Sequence, residues 1–186
     1  MTLFLEVRWH GRGGQGVMTA SDLLAKAAVL EGKNVQSFPE FGPERMGAPL
    51  RAFTRISDKA INLHCAIYEP DVVVVLDPTL LKTVPVAEGL PEKGILVVNT
   101  RERPIELRER MNFVRGRLWT VPATDIAVRI LGRAITNTGM LGAVARAAAI
   151  VDITSLEETI KDRFPLKIAE KNVEVMKEAY RKAKSI

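Results

Sequence analysis

The sequence predicts an α/β fold: a three-layer, Rossmann-like mixed sheet, mostly parallel, with an antiparallel hairpin and C-terminal helices. Three observations predict it. First, a strand-like apolar stretch over residues 3–9 enters a glycine-rich turn and then a helical pattern. Second, residues 71–77 and 95–99 are almost unbroken apolar runs, as expected of parallel strands buried on both faces. Third, residues 50–56 and 61–65 alternate apolar and polar, and Ser57-Asp58-Lys59 between them supplies turn residues, so they read as an antiparallel hairpin.

The 186 residues suit one domain spanning 1–186, and 47% hydrophobic residues suffice for a core. The net charge of +5 does not point to nucleic acid, because only 5% of residues are aromatic and the bases are scattered among acids. It suits an anionic ligand or an acidic protein partner. No apolar run is long enough to span a bilayer, so no membrane association is expected. The apolar N-terminal stretch is short and broken by Glu6, unlike a signal peptide, which points to a cytoplasmic protein. Cys65 is the single cysteine, so an internal disulfide is excluded and no cysteine cluster offers a metal or iron–sulfur site. Neighbours on a strand face opposite ways, so His64 and Cys65 do not read as a base–nucleophile pair; Cys65 is expected in the core and His64 facing solvent or an interface.

Taken in order, the first strand leads into His10-Gly11-Arg12-Gly13-Gly14-Gln15-Gly16. Gly11, Gly13 and Gly16 follow the spacing of a phosphate-binding fingerprint. A helix beginning just beyond would direct free N–H groups and a positive dipole end at an anion. The same spacing also serves a plain strand-to-helix bend. Glu31-Gly32-Lys33-Asn34 stops the helix, and residues 35–38 form a short second strand. The acid that would bind a dinucleotide ribose at that strand's end is missing, since Glu40 lies inside a Pro- and Gly-rich loop over residues 39–49.

Beyond the hairpin, Asp77 closes the central strand and precedes Pro78, as a helix cap. It lies at the carboxyl edge, where open α/β sheets bind ligands. Asn99 and Thr100 end the next strand at that edge. Residues 101–116 are charged and poorly patterned. Residues 118–121 read as a further strand, and Thr124 or Asp125 caps a helix through Leu131. Asn137-Thr138-Gly139-Met140 reads as a break before an alanine-rich helix over residues 141–150, suited to close packing on the sheet or a second subunit. Ser155 and Glu158 suggest a capping box, Phe164-Pro165 a stop, and residues 167–186 a final basic helix.

The run from Trp9 to Gly16, the loop Pro39-Glu40-Phe41-Gly42-Pro43-Glu44-Arg45-Met46-Gly47-Ala48-Pro49, then Val75-Leu76-Asp77 and Asn99-Thr100 resemble the gamma subunit of 2-oxoacid:ferredoxin oxidoreductases, over roughly residues 3–152. The loop is the more specific part. It looks most like the pyruvate and branched-chain members.

The resemblance implies a subunit of an enzyme that oxidatively decarboxylates a 2-oxoacid, passes electrons to ferredoxin and forms an acyl-CoA, or runs in reverse. It implies alpha, beta and delta partner subunits. Thiamine diphosphate with Mg, and the iron–sulfur clusters, would reside on those partners. This chain would hold no redox centre and no catalytic residue. It would share a coenzyme A site. Gly13, Gly14, Gln15 and Gly16 are the expected backbone contacts, and Thr19 and Ser21 the hydroxyl contacts. Arg12 would pair with phosphate, or else be a solvated surface arginine. Asn99 is a candidate by its strand-end position. Glu40, Glu44 and Arg45 would touch other subunits near the active site. Two other readings stay open: an independent NAD-dependent oxidoreductase, and a scaffold whose turn binds nothing. Surfaces meant for partners leave open homo-oligomers of the isolated chain.

Overall fold

The computed structural model describes residues 3–40 and 47–186. The chain runs β1 (Phe4–Arg12), α1 (Val17–Leu30), β2 (Asn34–Pro39), β3 (Pro49–Ser57), β4 (Val72–Val75), a 3-10 turn (Pro78–Lys82), β5 (Ile95–Asn99), α2 (Pro104–Met111) and β6 (Arg117–Val121). It then forms α3 (Ala123–Leu131), α4 (Asn137–Ala148), α5 (Ile153–Arg163), α6 (Leu166–Lys182) and β7 (Lys184–Ser185). The seven strands lie in the order β2-β3-β1-β4-β5-β6-β7. β1, β4, β5 and β6 are mutually parallel, while β3 and β7 run against their neighbours.

The valine run of β4 has two audiences. Val72 and Val74 pack with Val7, Trp9 and Val97 under α1, α4, α5 and α6. Val73 and Val75 pack on the opposite face with Leu96, Val98, Leu80, Leu107 and Phe113. Both faces are covered, which is why the strand needs no polar alternation. This is the three-layer mixed sheet predicted above, with helices closing the C-terminal part.

The hairpin is built differently from expectation. β3 pairs with β2 on one side and with all of β1 on the other. Residues 58–71 form no strand, so Ile61, Leu63 and Cys65 are not its partners. Side chains of the sheet occupy carbonyl groups of that segment: Gln36 Nε2 donates to Leu63 O at 3.0 Å, and Arg55 Nη2 to Cys65 O at 2.9 Å. Cys65 is accordingly exposed and not a core residue. His64 is exposed, as expected.

Other boundaries also move. Residues 104–111 form a helix that the charge pattern conceals, because only Pro104 and Leu107 in it are buried. Asn137-Thr138-Gly139-Met140 is the first turn of α4 and not a break. α5 begins at Ile153 after Asp152, so Ser155 is inside the helix and is not its cap. The last helix gives way to β7, a two-residue strand on β6. The close approach allowed by the small residues of α4 is to α6: a β-carbon on Gly142 would collide with the carbonyl of Met176.

Candidate functional site at the carboxyl edge of the sheet

Parallel strands end together. Arg12, Leu76-Asp77, Asn99-Thr100 and Val121-Pro122 therefore lie along one edge. The chain leaves β1 and β4 toward different sides of the sheet, and the glycine turn stands at that switch point.

The turn is shaped by its glycines. A β-carbon at Gly11 would meet Val17 Cγ2 at 2.5 Å, so its absence lets α1 settle on the strand end. Gly14 has φ of 91° and is exposed, with open space where a side chain would project. Gly16 caps α1 with φ of 76° and no side-chain hydrogen bond. The first-turn N–H groups of Val17, Met18 and Thr19 thus have no hydrogen-bond partner among the described residues. The turn presents donors and a positive dipole end outward.

The turn is also braced from below. Arg12 N–H donates to Gln15 Oε1 at 2.8 Å, and Gln15 N–H returns to Arg12 O at 3.1 Å. Gln15 Nε2 then donates to Asp77 Oδ2 at 2.8 Å, beside Arg12 Nε at 3.0 Å. The other Asp77 oxygen accepts from Thr79 N–H and Thr79 Oγ1–H. Burial opposes ionisation of Asp77, but hydrogen bonds from Thr79 and Gln15 and the Arg12 guanidinium outweigh it and hold the carboxyl below its ordinary value. Arg12 Nη1 reaches Gly47 O and Nη2 reaches Thr79 Oγ1, each at 3.0 Å. Gly13 N–H donates to Ala48 O at 3.1 Å. Turn, 3-10 segment and the end of the 39–49 loop are thereby tied around one carboxylate.

The residues singled out from sequence separate into groups. Gly13, Gly14, Gln15, Gly16 and half-buried Thr19 do lie together. The N–H groups of Gly13 and Gln15 serve the chain itself, whereas Gly14 and Gly16 donate to no partner among the described residues. Arg12 bonds Asp77, Gly47 and Thr79 with one N–H of each guanidinium nitrogen, while its side chain stays 30% exposed. Ser21 is not brought to the turn. It is fully buried and bonds Thr54 Oγ1 and Ser37 Oγ, each at 2.8 Å, beneath α1. Asn99 is only 3% exposed and links β4 to α3. Its Nδ2 donates to Leu76 O, and its Oδ1 accepts from Thr124 N–H. It forms the floor of an open groove with Thr100, Arg101 and Asp125. Glu40 pairs with Arg51. Glu44 and Arg45 lie outside the described residues.

The sequence does not show one pairing and one neighbour of the turn. Asp77 was visible as a strand-end acid, but its pairing with Arg12 spans 65 positions. Asn137, hidden in an apparent break, abuts Gly16. Among the described residues no cluster of His, Cys, Asp or Glu is arranged to hold a metal, and no helix is long and apolar enough to cross a membrane.

Comparison with known proteins agrees with this architecture. The family model described as pyruvate ferredoxin/flavodoxin oxidoreductase matches residues 6–182. The common gamma subunit of the pyruvate/ketoisovalerate oxidoreductases of Thermococcus litoralis is 55% identical, over 96% of both chains. The crystal structure of pyruvate oxidoreductase subunit PORC from Thermotoga maritima superposes with a TM-score of 0.87 at 45% identity, covering 98% of each chain. A 2-oxoglutarate:ferredoxin oxidoreductase from Magnetococcus marinus shares the fold at 19% identity and a TM-score of 0.76, over 96% of this chain and 30% of that one. Strand order, glycine turn and these likenesses agree: the chain belongs to the pyruvate ferredoxin/flavodoxin oxidoreductase family, as a gamma-type subunit of a 2-oxoacid:ferredoxin oxidoreductase.

Proposed function

We propose that this gamma-type subunit contributes the phosphate-binding part of a coenzyme A site in the assembled oxidoreductase. The observation that carries the reading is the braced glycine turn, with Gly16 in a left-handed conformation and the first N–H groups of α1 uncapped. A phosphate there would accept those N–H groups without displacing any internal bond. In this reading Gly14, Gly16 and Thr19 face the ligand. Gln15 and Arg12 hold the turn through Asp77, and Arg12 adds a nearby positive charge. Gly13 anchors the turn to the 39–49 loop. Coenzyme A is bound in the structure of the Magnetococcus marinus enzyme. At that identity the likeness carries only the fold, so the assignment here rests on the turn.

Thiamine diphosphate with Mg, and the iron–sulfur clusters, belong in this reading to alpha, beta and delta partners in the cytoplasm, with ferredoxin as acceptor. The chain itself carries no redox centre and supplies the coenzyme that takes up the acyl group. A stand-alone NAD enzyme fits less well. Both Asp77 oxygens are filled by donors of the chain, and Glu40 is paired with Arg51, so neither is positioned to receive a ribose. A pure scaffold would not need a turn with outward donors.

Gly14→Asp tests the reading against Gly14→Ala. Both strain the positive φ, at a cost of about 1 kcal/mol, but only the acid adds charge where phosphate belongs. In the reconstituted oxidoreductase the acid is expected to raise the KM for coenzyme A about tenfold over the alanine variant, with the KM for the 2-oxoacid unchanged. Equal coenzyme A dependence in two correctly assembled variants would sink the assignment.

A further inference from the structure

α4 starts against the turn. A β-carbon built on Gly16 would come 2.6 Å from Asn137 Nδ2. The first residue of α4 therefore lies directly on the N-cap of α1, and two helices, of 14 and 12 residues, begin at one point on the ligand edge. The N-cap residues, Gly16 and Thr136, make no side-chain capping bond.

The Asn137 amide is oriented by the chain. Thr138 N–H donates to its Oδ1 at 2.8 Å, which leaves the NH2 end facing Gly16. Asn137 is only 4% exposed. Yet among the described residues no hydrogen bond engages its Nδ2. That atom lies against Gly16, at the start of α1. A side chain that is otherwise enclosed normally satisfies its donors. Here the donor is kept free where two positive dipole ends meet, and the group that satisfies it must be an acceptor, best an anionic one. Gly16 then has two reasons to be glycine: its positive φ, and the room that Asn137 needs.

We infer that Asn137 is a ligand-contact residue, donating Nδ2–H to a phosphate oxygen held between the N-termini of α1 and α4. The inference rests on the reading of the turn as a coenzyme A site and extends that site onto α4. Coenzyme A offers two sources of such an oxygen, the pyrophosphate and the ribose 3′-phosphate.

Asn137→Asp in the reconstituted oxidoreductase tests it. The acid retains an oxygen for Thr138 N–H and suits the first turn of a helix, so assembly and melting temperature are expected to hold. It replaces the donor by a repelling charge. The KM for coenzyme A is expected to rise about tenfold or more, with the KM for the 2-oxoacid unmoved. Repeating the comparison with 3′-dephospho-coenzyme A identifies the contact. An effect that vanishes assigns Asn137 to the 3′-phosphate, and one that persists assigns it to the pyrophosphate. An unchanged coenzyme A KM in Asn137→Asp while Gly14→Asp raises it would overturn the role of Asn137 and leave the turn intact. Unchanged values in both would overturn the two readings together. Should the acid fail to assemble, Asn137→Ala is measured the same way, with a rise of about threefold expected from the missing donor and an unchanged KM again overturning the inference.

Discussion

Asp77 decides the shape of the turn because four donors converge on its two oxygens. Asp77→Asn would turn one oxygen into a donor and leave at least one pair of donors facing it. A loss of about 1–3 kcal/mol is expected, read from urea midpoints, together with a raised KM for coenzyme A. His10, just before the turn, carries a second consequence. Burial, reinforced by the Arg8 and Arg51 guanidinium groups, pushes its pKa down to about 3 from 6.5. Its neutral ring accepts Arg8 Nε–H at 3.1 Å. The unfolded chain therefore takes up a proton before the folded one does. The stability linked to His10 is fully present above about pH 6.5 and is lost as pH falls toward 3, at up to about 1.4 kcal/mol per pH unit. His10→Gln keeps an acceptor for Arg8. Its stability is expected to fall less steeply than the parent's between pH 6.5 and pH 4.5 in urea titrations. Parallel slopes would mean that His10 is not protonated on unfolding.

At the scale of elements, α4 is the helix on which both packing and the site depend. Its N-terminus meets the turn, and its small residues let α6 lie close. Gly139 and Gly142 do different work: a β-carbon on Gly139 would meet Ala123 Cβ at 3.2 Å, which a shift of a few tenths of an ångström relieves, whereas one on Gly142 would overlap the Met176 carbonyl oxygen. Gly142→Ala is expected to cost about 1–3 kcal/mol by calorimetry, and Gly139→Ala distinctly less. If the two proved equal, the contact between α4 and α6 would be looser than the structure has it. β3 illustrates the opposite case, an element specified by its neighbours. Its alternation reads correctly, but β1 and β2 both compete successfully for its edges, while Gln36 and Arg55 satisfy carbonyls of the segment expected to pair.

At the scale of the molecule, the chain is a gamma-type subunit in a family of 2-oxoacid:ferredoxin oxidoreductases. The described residues place no metal-binding cluster in it. The purified chain alone is expected to show no 2-oxoacid-dependent dye reduction. Activity requiring both a 2-oxoacid and coenzyme A should co-elute with it only in larger, cysteine-rich assemblies from native extract. Activity from the isolated chain would refute the division of labour proposed here.

The sequence by itself determined the fold class, the central strands, the glycine turn and the family. These depend on local signals: β-branched runs, glycine spacing and a distinctive loop, each readable within about a dozen residues. Tertiary structure alone decided which of those residues lie open at the turn and which are tied up within the chain. Ser21 has the right chemistry five residues from Gly16, yet it points at Thr54 under the helix. Arg12 has the right charge, yet Asp77, 65 positions away, claims it. Asn137, read locally as a break, becomes the start of α4 because buried packing on α6 overrides the weak helix propensity of Asn, Thr and Gly. Side-chain direction and long-range pairing are set by the packed whole, which no local pattern encodes.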